Sequence, residues 1–154
     1  FELAELYAQM NEVGKMVEEY LQLLDTYENY LPSVQAILQN KLSYEADNKL
    51  ADVIRTSLLR RVQKAGQKTV YNELLYWLLL QEKDFSSALT QAIALDRRND
   101  ENGSRIISLG KLCYSNGDYE YQQREILILI KHVPELLKRK EGHIFQNPSY
   151  CPAL

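Results

Sequence analysis

Asp84-Phe85-Ser86-Ser87-Ala88 and Asn116-Gly117-Asp118-Tyr119 carry the same acidic–aromatic step, Asp84-Phe85 and Asp118-Tyr119, 34 residues apart. Each step follows a leucine-rich segment of similar length with helical spacing. Self-similarity at this period is the mark of a helix–turn–helix unit that stacks on copies of itself, because one such unit cannot bury its apolar face alone. Working outward, the segment before Asp84 reads as a helix over roughly 69–81. It is apolar on nearly every side (Val70, Leu74, Leu75, Trp77, Leu78, Leu79, Leu80), as expected of a helix covered on several faces. Phe85 to Arg98 reads as its partner, with Ala88, Ala92 and Leu95 on the packing face. Ser104 to Ser115 and Tyr119 to His132 form a further pair, ended by Pro134.

Upstream, Leu3, Leu6, Tyr7 and Met10 recur at helical spacing. Asn11-Glu12 interrupts them, and Val13, Met16, Val17, Tyr20, Leu21 and Leu24 resume on a second helix. Tyr27 to Ser33 reads as a linker, with Pro32 suited to the first turn of the next helix. Val34, Ile37, Leu38 and Leu42 form its stripe, with Gln35 and Gln39 on another face. A longer helix then carries Leu50, Ile54, Leu58, Val62 and Ala65, with Gly66 as a stop. Six glycines and four prolines leave little punctuation for a many-stranded fold, and all-α is expected.

These residues resemble the tetratricopeptide repeat family. In the last clear unit the family pattern falls on Ile106, Leu109, Gly110 and Cys113-Tyr114, then on Asn116-Gly117-Asp118-Tyr119 and Pro134. In the preceding unit it falls on Asn72, Leu75, Tyr76 and Leu79, then on Asp84-Phe85, Ala88 and Ala92, with Tyr76 standing where a small residue is usual. The first unit offers Leu3, Ala4, Tyr7, Val13, Met16 and Tyr20. Met16 and Gln122 replace small residues, so splayed helix pairs are expected there. Val13 to Phe85 is 72 residues, two periods plus four, which fits one irregular unit with a small insertion. The resemblance implies an α-solenoid of about four helix pairs, with units 1–30, 31–68, 69–102 and 103–136 and an atypical tail 137–154. The whole is expected to be a single repeat segment cut from a longer protein. The run from Asp84-Phe85 through Ala88, Gln91, Ala92 and Leu95 to Asp96-Arg97-Arg98 also resembles long bacterial repeat proteins exported to the cell envelope. That likeness implies the periplasm or envelope, with the cytoplasm as the alternative.

Catalysis needs titratable groups converging in a pocket, and the sequence offers poor material. His132 closes an amphipathic helix, and His143 and Cys151 lie in the tail with nothing to orient them. There is no phosphate-cradling glycine loop, zinc spacing or nucleophile elbow, so neither enzyme activity, cofactor nor metal is expected. Cys113 and Cys151 form no redox motif. The net charge of −3 argues against generic affinity for nucleic acid or anionic membrane. Arg55, Arg60, Arg61, Lys64 and Lys68 are locally basic, as are Lys131, Lys138, Arg139 and Lys140. Both clusters read either as a phosphate-binding surface or, by the more ordinary account, as solvated helix faces. The longest apolar run, Leu74 to Leu80, is seven residues, too short to span a bilayer. Asn102-Gly103-Ser104 matches a glycosylation acceptor and reads equally as a polar loop.

In this family the first helix of each pair lines a concave groove. The resemblance therefore implies Gln35, Gln39, Glu73, Trp77, Gln81, Ser108, Lys111 and Tyr114 as candidates for contact with a protein or peptide partner. Trp77 reads as either core or anchor. Three functions remain open: a protein–protein interaction scaffold, a structural spacer in a longer superhelix, and an accessory region of a protein whose catalytic or regulatory domain lies outside this chain. An exposed apolar edge at Leu3, Leu6 and Tyr7 is expected, with self-association through that terminal repeat.

Overall fold

Asn11, Lys83 and Asp100 hold the backbone in the left-handed region at φ 58°, 57° and 56°, and each lies just past the end of a helix. At Asn11, its own N–H donates to Ala8 O (3.0 Å) while Glu12 N–H donates to Tyr7 O (2.9 Å). Lys83 repeats the arrangement: Lys83 N–H to Leu80 O (3.2 Å) and Asp84 N–H to Leu79 O (2.9 Å). This paired bonding satisfies carbonyls that a helix end would otherwise leave bare. Asn11 and Lys83 stand 72 residues apart, each two positions before the next helix. The four-residue departure from two periods is therefore accommodated without changing the turn.

The computed structural model describes residues 1–44, 49–64, 68–101 and 103–115. Among them are seven α-helices: α1 (Glu2–Gln9), α2 (Val13–Thr26), α3 (Leu31–Tyr44), α4 (Lys49–Val62), α5 (Thr69–Gln81), α6 (Phe85–Asn99) and α7 (Ser104–Ser115). A 3-10 turn, Glu28–Tyr30, occupies the expected linker. The described residues contain no strand. Gly66, Gln122 and Pro134 lie outside them, as do the expected helix at 119–132 and the tail 137–154.

The chain divides into two compact units, Phe1–Asp84 and Phe85–Leu154. In the first, α1 packs on α2, α2 on α4, α4 on α5 and α3 on α5. Its core is mainly aliphatic. Leu24, Val34, Ile54, Leu58, Leu74 and Leu78 have no solvent exposure, and Met16, Val17, Tyr20 and Leu21 are buried beside them. The sequence expects splay where Met16 replaces a small residue. Instead α1 and α2 pack together and Met16 is buried, as an unbranched thioether chain can adapt to an irregular gap. In the second unit α6 packs on α7. Phe85, Ala88, Leu89, Ala92 and Leu95 are buried on one helix, and Ile106, Leu109 and Cys113 on the other. The loop between them is fastened from inside. Buried Asp96 accepts from Gly103 N–H at 2.6 Å, and Arg105 binds Glu101 through both Nε and Nη2 (2.8 and 2.6 Å). The Arg105 guanidinium holds the Glu101 carboxyl below its ordinary range. Asn102 of the possible glycosylation acceptor lies outside the described residues.

A testable consequence follows from Lys83. Its side chain is exposed, yet its backbone occupies a region where a Cβ costs on the order of 1–2 kcal/mol. Lys83→Gly removes that cost at the expense of a more flexible unfolded chain. A net gain of about 0.5–1 kcal/mol in urea unfolding is expected. A neutral or destabilised variant would show that the lysine side chain contributes contacts outweighing the strain.

Candidate functional site

On α5, Val70, Tyr71, Asn72, Leu74, Leu75, Leu78 and Leu79 are all buried. The remaining residues, Thr69, Glu73, Tyr76, Trp77, Leu80 and Gln81, are half-buried, with Gln81 exposed. They recur at helical intervals of three and four and so form one narrow stripe along the helix. Glu73, Trp77 and Gln81 are the residues the sequence expects to face a groove, and the structure places all three on this stripe. Trp77 is neither sealed in the core nor fully exposed. Tyr76 and Leu80 join it on the same open strip, although the sequence gives no sign of it. In a helix apolar all round, no polar face betrays the side left uncovered.

Gln35 is half-buried and Gln39 exposed on α3, which packs against α5 in the same unit. Only Val34 and Leu38 of α3 are buried, so most of this helix is accessible. In the second unit, Ser108 and Lys111 are exposed on α7. The Ser108 hydroxyl donates to Ser104 O at 2.9 Å and is thus engaged within its own helix. The side chain of Tyr114 lies outside the described residues.

The basic segment resolves differently. Arg61 of α4 donates to both carboxylate oxygens of Glu18 on α2 (3.2 and 2.7 Å), with its guanidinium 5.6 Å from the centre of the Tyr71 ring. The Tyr71 hydroxyl in turn donates to Asp25 Oδ1. Glu18, Arg61, Tyr71 and Asp25 thereby join α2, α4 and α5 in one polar circuit. The Arg61 bond holds the Glu18 carboxyl below its ordinary range, and Glu18 raises Arg61 in return. Burial, reinforced by the bond to Asp25, pushes the Tyr71 hydroxyl up to about 12. Arg55 pairs with Glu82 and, at 3.6 Å, with Asp84. Lys68 pairs with Glu28 at 3.2 Å and donates to Asp25 O. Three of the five cations are thus spent on internal ties, leaving Arg60 and Lys64 exposed. The second basic cluster, Lys131, Lys138, Arg139 and Lys140, lies outside the described residues, as do His132, His143 and Cys151.

A recess of ≈ 520 Å³ opens on α4, lined by Lys49, Asp52, Val53, Thr56, Ser57 and Arg60. Ser57 is hydrogen-bonded to Glu18, which is itself held by Arg61. Among the described residues no group of three or more histidine, cysteine or carboxylate side chains could hold a metal ion. No helix among them is long and apolar enough to cross a membrane. Comparison with protein-family models, curated proteins and solved structures finds no match.

Proposed function

We propose that this chain is a non-catalytic helical-repeat scaffold, similar to the tetratricopeptide family, that holds a protein or peptide partner without cofactor or metal. The observation that carries this reading is the α5 stripe. A half-buried tryptophan is flanked at four-residue intervals by Glu73 and Gln81 on a helix whose other faces are buried in the core. An aromatic anchor bordered by polar groups is the arrangement from which binding hot spots are commonly built. The packing of α2 on α4 and of α3 on α5, each helix against the next but one, supports a stacked-pair architecture. The internal pairing of Arg55, Arg61 and Lys68 favours a protein ligand over nucleic acid, since neutralising phosphates requires available cations.

A peptide selected from a random library against the intact chain tests the proposal. Trp77→Ala is expected to weaken its binding by tenfold or more, the loss of about 2 kcal/mol typical of an anchor. The melting temperature should change little, because the indole is only half-buried. Unchanged binding would remove the stripe from the interface. Lost stability without selective loss of binding would favour the spacer reading, in which Trp77 serves packing alone.

A further inference from the structure

The turn Glu82-Lys83-Asp84 ends the first unit, and the chain passes from it directly into α6. Arg55 meets this turn from α4, which packs on α5. Its Nη2 donates to Glu82 Oε2, and its Nη1 lies 3.6 Å from Asp84 Oδ2. One guanidinium thus spans the two carboxylates on either side of Lys83. The three side chains are 33, 22 and 30 % exposed, so their attraction is less screened than that of a fully solvated pair. Two costs oppose it. Lys83 holds φ at 57°, a region that a residue with a Cβ enters at a penalty. The Nε of Arg55 is buried without a hydrogen-bond partner, so part of the guanidinium has given up water for nothing. Opening the turn relieves both, since Lys83 can leave the left-handed region and Nε is rehydrated.

The matching turn at Asn11 shows what Arg55 adds. Its backbone bonds are the same, Asn11 N–H to Ala8 O and Glu12 N–H to Tyr7 O. There the left-handed position holds an asparagine, whose short polar side chain makes that region cheap. Glu12 pairs with Lys15, three residues on, rather than with another helix. At Lys83 the residue lacks that preference, and a cation from α4 ties the turn down. We propose that Arg55, Glu82 and Asp84 form an ionic latch that holds the turn between α5 and α6 closed against the strain at Lys83. Ionic strength then sets how often the turn opens, because the opposing costs are indifferent to salt while the attraction is screened by it.

Native-state hydrogen exchange of the 154-residue chain, read amide by amide by nuclear magnetic resonance, tests the latch. The reporters are the Lys83 and Asp84 amides, bonded to Leu80 O and Leu79 O at 3.2 and 2.9 Å. Between about 0.1 and 1 M sodium chloride the Debye length falls from about 10 to about 3 Å, and their exchange should quicken about threefold. Arg55→Gln should quicken it at least tenfold at the lower salt and remove the salt dependence. Comparing the two proteins at equal salt cancels the effect of salt on intrinsic exchange. Glu82→Gln, which leaves Asp84 in place, should give about a threefold increase. The double variant should exchange no faster than Arg55→Gln alone, since the bond is already gone. Asn11 and Glu12 amides should keep their wild-type rates throughout. Salt-indifferent exchange at Lys83 and Asp84 overturns the latch, as do rates unchanged in both single variants or multiplied in the double. Equal acceleration at Asn11 and Glu12 also overturns it, because Arg55 would then support the whole unit and not the turn.

Discussion

Leu58→Ala is expected to destabilise the first unit by about 3 kcal/mol, within the roughly 2–5 kcal/mol span of buried leucine truncations. Leu58 has no solvent exposure, and it lies on α4, which packs against both α2 and α5. Leu50, Ile54 and Leu58 are spaced by four and form the buried stripe of that helix. Removing three carbons from its end costs their transfer from water plus the unfilled volume. Neighbours that are themselves fixed at zero exposure, Ile54, Leu74 and Leu78, leave little scope for collapse into the gap. The measurement is convenient because Trp77 is the sole tryptophan and belongs to this unit. Its fluorescence during urea unfolding therefore follows the unit in which the cavity is made. Leu59→Ala provides the internal comparison: at 40 % exposure it should cost less than about 1 kcal/mol. Equal costs at the two positions would mean that α4 does not lie in the core as described.

The elements that the sequence discloses best are those with a strong local signal. The expected limits of α5 and α7 coincide with the observed helices, and α6 extends one residue beyond Arg98. In each case dense apolar periodicity ends in a polar turn, a signal contained within a few residues. The 3-10 turn at Glu28–Tyr30 has no sequence signature, because a single bond, Tyr30 N–H to Tyr27 O at 3.2 Å, imposes no residue pattern. The left-handed residue at 83 is hidden for a related reason. A glycine in a turn advertises a positive φ, whereas a lysine does not. Of the candidate binding residues, Glu73, Trp77 and Gln81 are legible because spacing by four defines a face. Tyr76 and Leu80 are not, because side-chain type alone does not say which part of an all-apolar helix is uncovered. The pairing of Arg61 with Glu18, 43 residues away, is a tertiary fact; periodicity locates Arg61 off the apolar stripe and goes no further.

Arg61→Ala is expected to cost about 2 kcal/mol, with a pH dependence that separates its parts. The substitution removes a forked bond to Glu18, the cation over the Tyr71 ring, and the packing of the aliphatic stem. The Arg61 side chain is only 16 % exposed, but Glu18 is 37 % exposed, so the orphaned carboxylate is rehydrated and the loss stays below that of a fully buried pair. Arg61→Lys should recover part of the loss, since one ammonium cannot span two carboxylate oxygens as the planar fork does. Because Glu18 titrates below its ordinary value near 4.5 in the folded chain, its contribution is complete above that pH. It is lost as pH falls through the lowered value. The stability difference between wild type and Glu18→Gln should accordingly be constant near neutrality and shrink from roughly pH 5 downward. At the alkaline end the sign reverses. Tyr71 is raised from 10.0 to about 12, so its contribution is intact below pH 10 and declines as pH climbs toward 12. Tyr71→Phe should remove that decline. It should also cost stability at neutral pH, because Asp25 then loses the hydroxyl it accepts from. An acid limb unchanged in Glu18→Gln, together with an additive Glu18→Gln/Arg61→Ala double mutant, would show that the two residues are neighbours without coupling. Non-additivity of about 1 kcal/mol or more would establish the circuit as a tie among α2, α4 and α5. It would also explain why this basic segment is spent on holding helices together, with Arg60 and Lys64 left facing water.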